Sequence, residues 1–306
     1  MRYLLFTVLS FFCIHCFAQQ SIKSWKDVNY AGDRMIYHKL DISLPQENRA
    51  TYPVVIVIYG SAWFGNSFKG MAMQTLGRPL VDAGFAVVAP NHRSSKDSVF
   101  PAQINDIKSA IRFVRANAAK YHFDTSFIGI TGFSSGGHLA ALAGTSGGVT
   151  EYTVGKVTEN IEGNVGLNMK FRSGVDAVVD WFGPTDIRVI DSCRSGAGVI
   201  TPNSPEAYLI GGPIKDNPEK CALANPITYV DAGDPPFLIF HGDKDPLVPI
   251  CQSEMMNTAL KKAKVPSQFI VVPGGRHGPG VMEEKYYKVM VDFFNNQWKL
   301  RKNKNK

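Results

Sequence analysis

Gly132-Phe133-Ser134-Ser135-Gly136 carries the most chemical content of any stretch in this 306-residue chain. It follows the apolar run 127–131 and leads into the helix-like run 138–142. A serine at a sharp strand-to-helix turn needs small residues two positions before and after it, because the backbones pass close together there. Such an elbow lifts the hydroxyl above the strand end and points a helix N-terminus at it, which favours developing negative charge. The chemistry this serves is nucleophilic attack on a carbonyl by Ser134. Ser135, inside the motif, reads as a backbone donor.

A serine hydroxyl is a weak nucleophile and needs a base that is itself oriented by a carboxylate. In strand–elbow–helix hydrolases the chain order is Ser, then Asp or Glu, then His. That order is present. The run 237–240 precedes His241-Gly242-Asp243-Lys244-Asp245-Pro246, and the next apolar run precedes Gly274-Gly275-Arg276-His277-Gly278. His277, in a glycine-rich loop, is the candidate base, whereas His241 reads as packing at a strand end. Asp243 and Asp245 both qualify as the acid on spacing alone.

Attack on a carbonyl also needs amide donors for the oxyanion. The loop Tyr59-Gly60-Ser61-Ala62-Trp63 follows the apolar run 54–59, and its small residues expose backbone N–H groups. Ser61 or Ala62 is expected to donate, with the Ser135 amide completing the hole. Trp63, Trp181 and Phe182 fall at loops or strand ends near the expected site and are candidate substrate contacts, with packing in the core as the equal alternative.

Six apolar runs of strand length, rich in Val, Ile and Phe, must position these groups: 54–59, 85–89, 127–131, 177–181, 237–240 and 268–272. Continuous apolar runs mark strands buried on both faces, and they alternate here with helical patterns. The clearest pattern places Ile104, Ile107, Ile111 and Val114 on one face, and another covers 283–298. Alternation of this kind predicts a mostly parallel sheet flanked by helices, with 37–44 adding antiparallel strands at its start. The polar stretches 145–174 and 192–218 read as excursions over the sheet edge that binds ligand.

Composition narrows the class further. With 44% hydrophobic and 19% charged residues the chain is globular rather than disordered, fibrous or coiled-coil. Of the formal charge of +7, Arg2 and the tail residues Lys299, Arg301, Lys302, Lys304 and Lys306 account for nearly all. The body is therefore close to neutral, with no nucleic-acid footprint. Residues 1–18 read as an export signal: Arg2, an apolar run, then Cys16-Phe17-Ala18 as a cleavage site. The apolar stretch falls short of the roughly 20 residues that span a bilayer, so stable membrane insertion is not expected. Secretion or a periplasmic location is expected, with residues 19–306 forming one catalytic domain. Beyond the signal lie Cys193, Cys221 and Cys251, of which Cys193 and Cys221 are a candidate disulfide pair. No CxxC or His/Cys cluster suggests a metal, and the chemistry above requires no cofactor.

Nearly the whole of residues 19–306 resembles secreted carboxylesterases of the α/β-hydrolase superfamily, near the bacterial feruloyl and acetylxylan esterases of the hormone-sensitive-lipase-like branch. The matching pieces are Gly60–Trp63, Val88-Ala89-Pro90-Asn91-His92-Arg93, residues 101–111 and the Ser134 elbow through Ala140. They continue through Val179-Asp180-Trp181-Phe182-Gly183-Pro184-Thr185-Asp186, residues 241–249 and 274–278. The resemblance implies an α/β-hydrolase fold and a triad of Ser134, Asp245 and His277. It also implies hydrolysis of short-chain or polysaccharide-linked esters, acetyl or feruloyl groups on xylan-type hemicellulose. Two positions depart from the family pattern. Tyr59 stands for the histidine of the HGG loop, where its hydroxyl is a possible substitute, and Ser61 stands for its second glycine. A prolyl-oligopeptidase-like peptidase shares the triad but carries a preceding propeller, for which the segment 19–54 is too short. An inactive binding protein of the same fold would show a broken triad. Oligomeric state is not legible.

Overall fold

The computed structural model describes residues 23–193 and 201–304, so the export-signal reading of residues 1–18 lies outside the described residues. Each of the six apolar runs falls on a strand. β1 (Ser24–Asn29) and β2 (Lys39–Ser43) open the sheet, followed by β3 (Tyr52–Ile58), β4 (Ala86–Pro90) and β5 (Phe123–Phe133). A hairpin of β6 (Glu151–Val154) and β7 (Val157–Asn160) intervenes before β8 (Ala177–Trp181), β9 (Phe237–Gly242) and β10 (Ser267–Val272). The main sheet has the order β1-β2-β4-β3-β5-β8-β9-β10. From β4 to β10 all pairings are parallel, while β2 runs antiparallel to both β1 and β4.

Two-sided burial explains why these runs are continuous rather than alternating. Along β3, Val54, Ile56 and Ile58 join one apolar cluster, while Val55 and Val57 join the other. The first cluster packs under α1 (Ala102–Ala116), whose Ile104, Ile107, Ile111 and Val114 supply the predicted stripe, and under α2 (Ser135–Thr145). The second packs under Leu76, Leu80 and the C-terminal helix Glu284–Lys304 through Met290 and Phe294. Helices therefore cover both faces. The sheet begins one strand earlier than expected, because β1 is a largely exposed edge strand with too little apolar signal to read.

The two polar excursions behave differently. The β6–β7 hairpin packs against the short helix Pro218–Ala224 and is tied to α1 by the Asn105 side chain, which donates to the Asn160 carbonyl at 3.0 Å, and none of its residues lines the serine cavity. The expectation that 145–174 covers the ligand edge is thus corrected. The second excursion does reach the cavity, through Pro205 and Glu206 on α3 (Pro205–Ile210).

The candidate pair Cys193–Cys221 is also corrected. Cys193 bonds Cys251, 58 residues away, and Cys221 is a buried free thiol among apolar neighbours. Spacing carries no information about which cysteines meet, and Cys251 reaches the second excursion because it opens α4 (Cys251–Lys262) directly after the acid loop. Closing a loop of this length in the unfolded chain is worth about 4 kcal/mol in the chain-entropy picture. A Cys193→Ser/Cys251→Ser variant is therefore expected to melt well below the parent. Equal melting temperatures under non-reducing conditions would show that the bridge does not contribute.

Candidate active site

Ser134 sits at the end of β5 with φ +56° and ψ −126°, a backbone region that a residue with a Cβ occupies only when its surroundings enforce it. The glycines on either side make the turn possible. A Cβ on Gly132 would lie 2.2 Å from the Gly136 carbonyl oxygen, and one on Gly136 would lie 2.4 Å from the Tyr59 carbonyl oxygen. A serine at a helix N-cap ordinarily turns its hydroxyl onto the first-turn amides. Ser134 makes no such cap bond; its Oγ faces His277 instead.

Three loops at one edge of the sheet bring the predicted groups together. Ser134 Oγ lies 2.9 Å from His277 Nε2, and His277 Nδ1 lies 2.7 Å from Asp245 Oδ2. An ionised carboxylate only accepts, so Nδ1 carries the proton and Nε2 accepts from the serine hydroxyl. Asp245 is the acid partner; Asp243 instead accepts from the Gly274 amide at 2.7 Å and ties the acid loop to the histidine loop. The Asp245 side chain is fully buried, and its Oδ1 accepts from the Leu247 and Val248 amides at 2.8 and 3.0 Å. Burial alone would raise its pKa. The neighbouring His241 ring, the hydrogen bond from His277 and the Val248 amide outweigh that and hold the carboxyl well below the usual range. A depressed folded-state pKa means stability present above the unfolded pKa and lost as pH falls toward the folded one, so Asp245 is ionised at neutral pH.

His241 does pack at its strand end, as expected, and it also braces the acid. Its Nε2 donates to the Val248 carbonyl at 2.9 Å and lies 3.5 Å from Asp245 Oδ2, while Nδ1 meets Ser253 Oγ at 2.7 Å. Phe182, with its ring centroid 4.7 Å from the His277 ring, flanks the base.

The loop after β3 is braced by its own unusual residues. Tyr59 Oη donates to the Gly65 carbonyl at 3.1 Å, and the Gly65 amide donates to Ser61 Oγ at 3.1 Å. Tyr59 also stacks on the His92 ring at 4.8 Å. Both departures from the HGG pattern therefore grip Gly65. The expectation for Ser61 as an oxyanion donor is corrected: its amide donates to Ser135 Oγ at 2.9 Å and is already committed. Ala62 and Ser135 remain, both lining the cavity beside Ser134, and Ser135 opens α2, so its amide has no intrahelical acceptor.

Of the two tryptophans, Trp63 lines this cavity and Trp181 does not. Trp181 stacks on Phe240 at 4.1 Å and its indole N–H donates to Thr131 Oγ1 at 3.2 Å, inside the second apolar cluster. Both faces of β8 are buried, so hydropathy gave no hint that its last side chain turns away from the cleft. The cavity has a volume of about 260 Å3, and the sequence reading missed most of its apolar wall: Pro184, Ile190, Pro205, Leu247 and Val248. Pro184, Ile190, Leu247 and Val248 lie on loops without periodic pattern, and Pro205 opens the short helix α3.

Asp180, one residue before Trp181, is fully buried against the first turn of α2. Its Oδ1 accepts from the Gly183 amide at 2.9 Å, and Oδ2 has no hydrogen-bond partner among the described residues. Burial pushes its pKa up to about 6, partly offset by the Gly183 amide and His241. A raised folded-state pKa gives stability that is fully present below the unfolded value and lost as pH rises through about 6. The melting temperature of Asp180→Asn relative to the parent should accordingly move in the variant's favour between about pH 5 and about pH 8. A difference constant across that range would count against this assignment.

A mostly parallel sheet with a serine elbow, an acid after the seventh strand of the sheet order and a histidine after the eighth defines an α/β hydrolase. The sequence profile of the BD-FAE family matches residues 40–260, and the chain belongs to that family. It is 32% identical over 226 residues to Esterase LipQ of Mycobacterium tuberculosis, a match covering 74% of this chain and 50% of that protein. The chain thus spans about half the length of the curated relatives it matches. Among solved structures, a truncated form of carbohydrate esterase from gut microbiota is 50% identical with a TM-score of 0.87, covering 92% of this chain and 98% of the other. A bifunctional GH43-CE of Bacteroides eggerthii is 56% identical with a TM-score of 0.86, covering 90% of this chain and 35% of the other.

Proposed function

We propose that the protein is an exported serine carboxylesterase that removes short acyl groups, acetyl above all, from polysaccharides of the xylan type. The observation that carries the catalytic reading is the hydrogen-bonded chain from Ser134 through His277 to Asp245, opening onto a cavity. In this reading Ser134 Oγ attacks the ester carbonyl as its proton passes to His277 Nε2. Asp245 stabilises the imidazolium, and the Ala62 and Ser135 amides receive the oxyanion. As the tetrahedral intermediate collapses and the bond to the sugar oxygen breaks, the His277 imidazolium gives its proton to that oxygen, releasing the sugar hydroxyl. Water, activated by the same imidazole, hydrolyses the acyl-enzyme and releases the carboxylic acid.

Acyl size is argued from the cavity. At about 260 Å3 it lies below the roughly 300–1,000 Å3 of ordinary small-molecule pockets, and its apolar wall suits a short chain. The sugar-borne alcohol is supported by the resemblance to the carbohydrate esterase from gut microbiota. Export is supported by the charge and apolarity of residues 1–18 and, independently, by the Cys193–Cys251 disulfide, since such bonds persist in oxidising compartments. The intact hydrogen-bond chain argues against an inactive binding protein.

The test is a release assay on acetylated and feruloylated xylan. Acetate should appear faster than ferulate. Ferulate as the main product would overturn the acyl assignment, and turnover of nitrophenyl acetate with no acid released from either xylan would overturn the polysaccharide assignment.

A further inference from the structure

Ala62 and Trp63 both have left-handed backbones, with φ of +51° and +58°. Two adjacent residues with Cβ atoms do not stay in this region unless their neighbours hold them there. Trp63 is held at two points. Its carbonyl accepts from the Ser95 amide at 2.8 Å, and its indole N–H points at His138 Nδ1 at 3.2 Å. The two rings meet edge to face, with centroids 5.1 Å apart.

His138 is fully buried in the first turns of α2, and its amide donates to the Ser134 carbonyl at 3.0 Å. The ring's Nε2 lies 2.8 Å from the Ala224 carbonyl, which only accepts. Nε2 therefore carries the proton, and Nδ1 is left as the acceptor the indole needs. Burial supports this neutral tautomer, pushing the ring's pKa down to about 4 against the opposing Ala224 contact. The helix that presents the nucleophile thus also grips the loop that presents Ala62.

Resting on the esterase reading above, we propose that His138 is a positioning residue for the oxyanion donor. Through the Trp63 indole it fixes the left-handed turn that aims the Ala62 amide at the carbonyl oxygen attacked by Ser134. His138 touches no substrate. The contribution is expected in the step where negative charge develops on that oxygen, not in ground-state binding.

Two replacements separate the two ends of the ring. Asn places its amide oxygen near the Nδ1 position, and Gln places its amide near Nε2. His138→Asn keeps an acceptor for the indole, whereas His138→Gln keeps only the link to Ala224. With a nitrophenyl acetate substrate, His138→Gln and Trp63→Phe should each lower kcat by about 100-fold, the scale of one lost oxyanion donor. KM for His138→Gln should change by less than about threefold, as expected for an interaction made only in the transition state. His138→Asn should recover most of the loss. The double variant Trp63→Phe/His138→Gln should be no worse than either single change, because both remove one interaction.

The indole N–H of Trp63 gives a direct readout, protected from solvent exchange in the parent and in His138→Asn but not in His138→Gln. An unchanged kcat in a folded His138→Gln, or multiplying losses in the double variant, would overturn the proposal. If His138→Gln does not fold, Trp63→Phe against His138→Asn decides, with equal kcat losses in the two overturning it. Fluorophosphonate labelling of Ser134 in the parent keeps the outcomes apart. Failure to label would sink the esterase reading, whereas normal labelling with an unaffected His138→Gln would sink only the positioning role.

Discussion

Ser134→Ala is expected to lower kcat on nitrophenyl acetate by roughly 10^6-fold while leaving the melting temperature close to that of the parent. Stability should hold because the hydroxyl makes no helix cap and faces the His277 ring, so its removal leaves no buried backbone donor unpaired. Alanine keeps the same Cβ in the same strained turn, and the glycines that accommodate it are untouched. Activity should collapse because the remaining donors bind an oxyanion that no longer forms by covalent attack. A residual acceleration of about 10^3–10^4 over water is the usual contribution of such donors and binding alone. Circular dichroism checks the fold and stopped assays at high enzyme concentration check the rate. Turnover within tenfold of the parent would remove Ser134 from the mechanism.

Asp245→Asn should cost about 10^4-fold in kcat at neutral pH, and the reason is a tautomer. Oδ1 of Asp245 is pinned by two amides, those of Leu247 and Val248, which only donate. The carbonyl oxygen of an asparagine must take that place, so its NH2 group faces His277 Nδ1. Nδ1 then accepts rather than donates, the ring proton moves to Nε2, and the base has no lone pair for the serine hydroxyl. His241 does not rescue the geometry, because its Nε2 proton is given to the Val248 carbonyl. Kinetics across neutral pH provide the check. A loss of less than tenfold would mean that another group orients the imidazole.

Much of this site was legible from residue types and spacing. The parallel strands announced themselves because burial on both faces demands uninterrupted Val, Ile and Phe, and the elbow because Gly132 and Gly136 leave no room for a Cβ. The choice between Asp243 and Asp245 was not legible from spacing. Two carboxylates two residues apart differ only in which way the loop turns, and the Leu247 and Val248 amides settle that in three dimensions. Trp181 failed as a substrate contact for a related reason. On a strand wholly buried, alternation of apolar and polar residues is lost, and with it the sign of the side-chain direction. Ser61 failed because its amide is committed to a hydroxyl 74 residues away in sequence. The disulfide partner and the cavity wall were invisible because long-range proximity of loops leaves no periodic trace.

The Ser134–His277 and His277–Asp245 hydrogen bonds span 143 and 32 residues of sequence and are carried by loops following β5, β9 and β10. No fragment of the sheet can hold all three groups, and long-range parallel pairing is slow to form. Turnover therefore reports on completed assembly. After dilution from denaturant, ester cleavage should return only with the last strand pairing, later than the helical signal, which makes catalysis a stopwatch for the maturation of the whole chain.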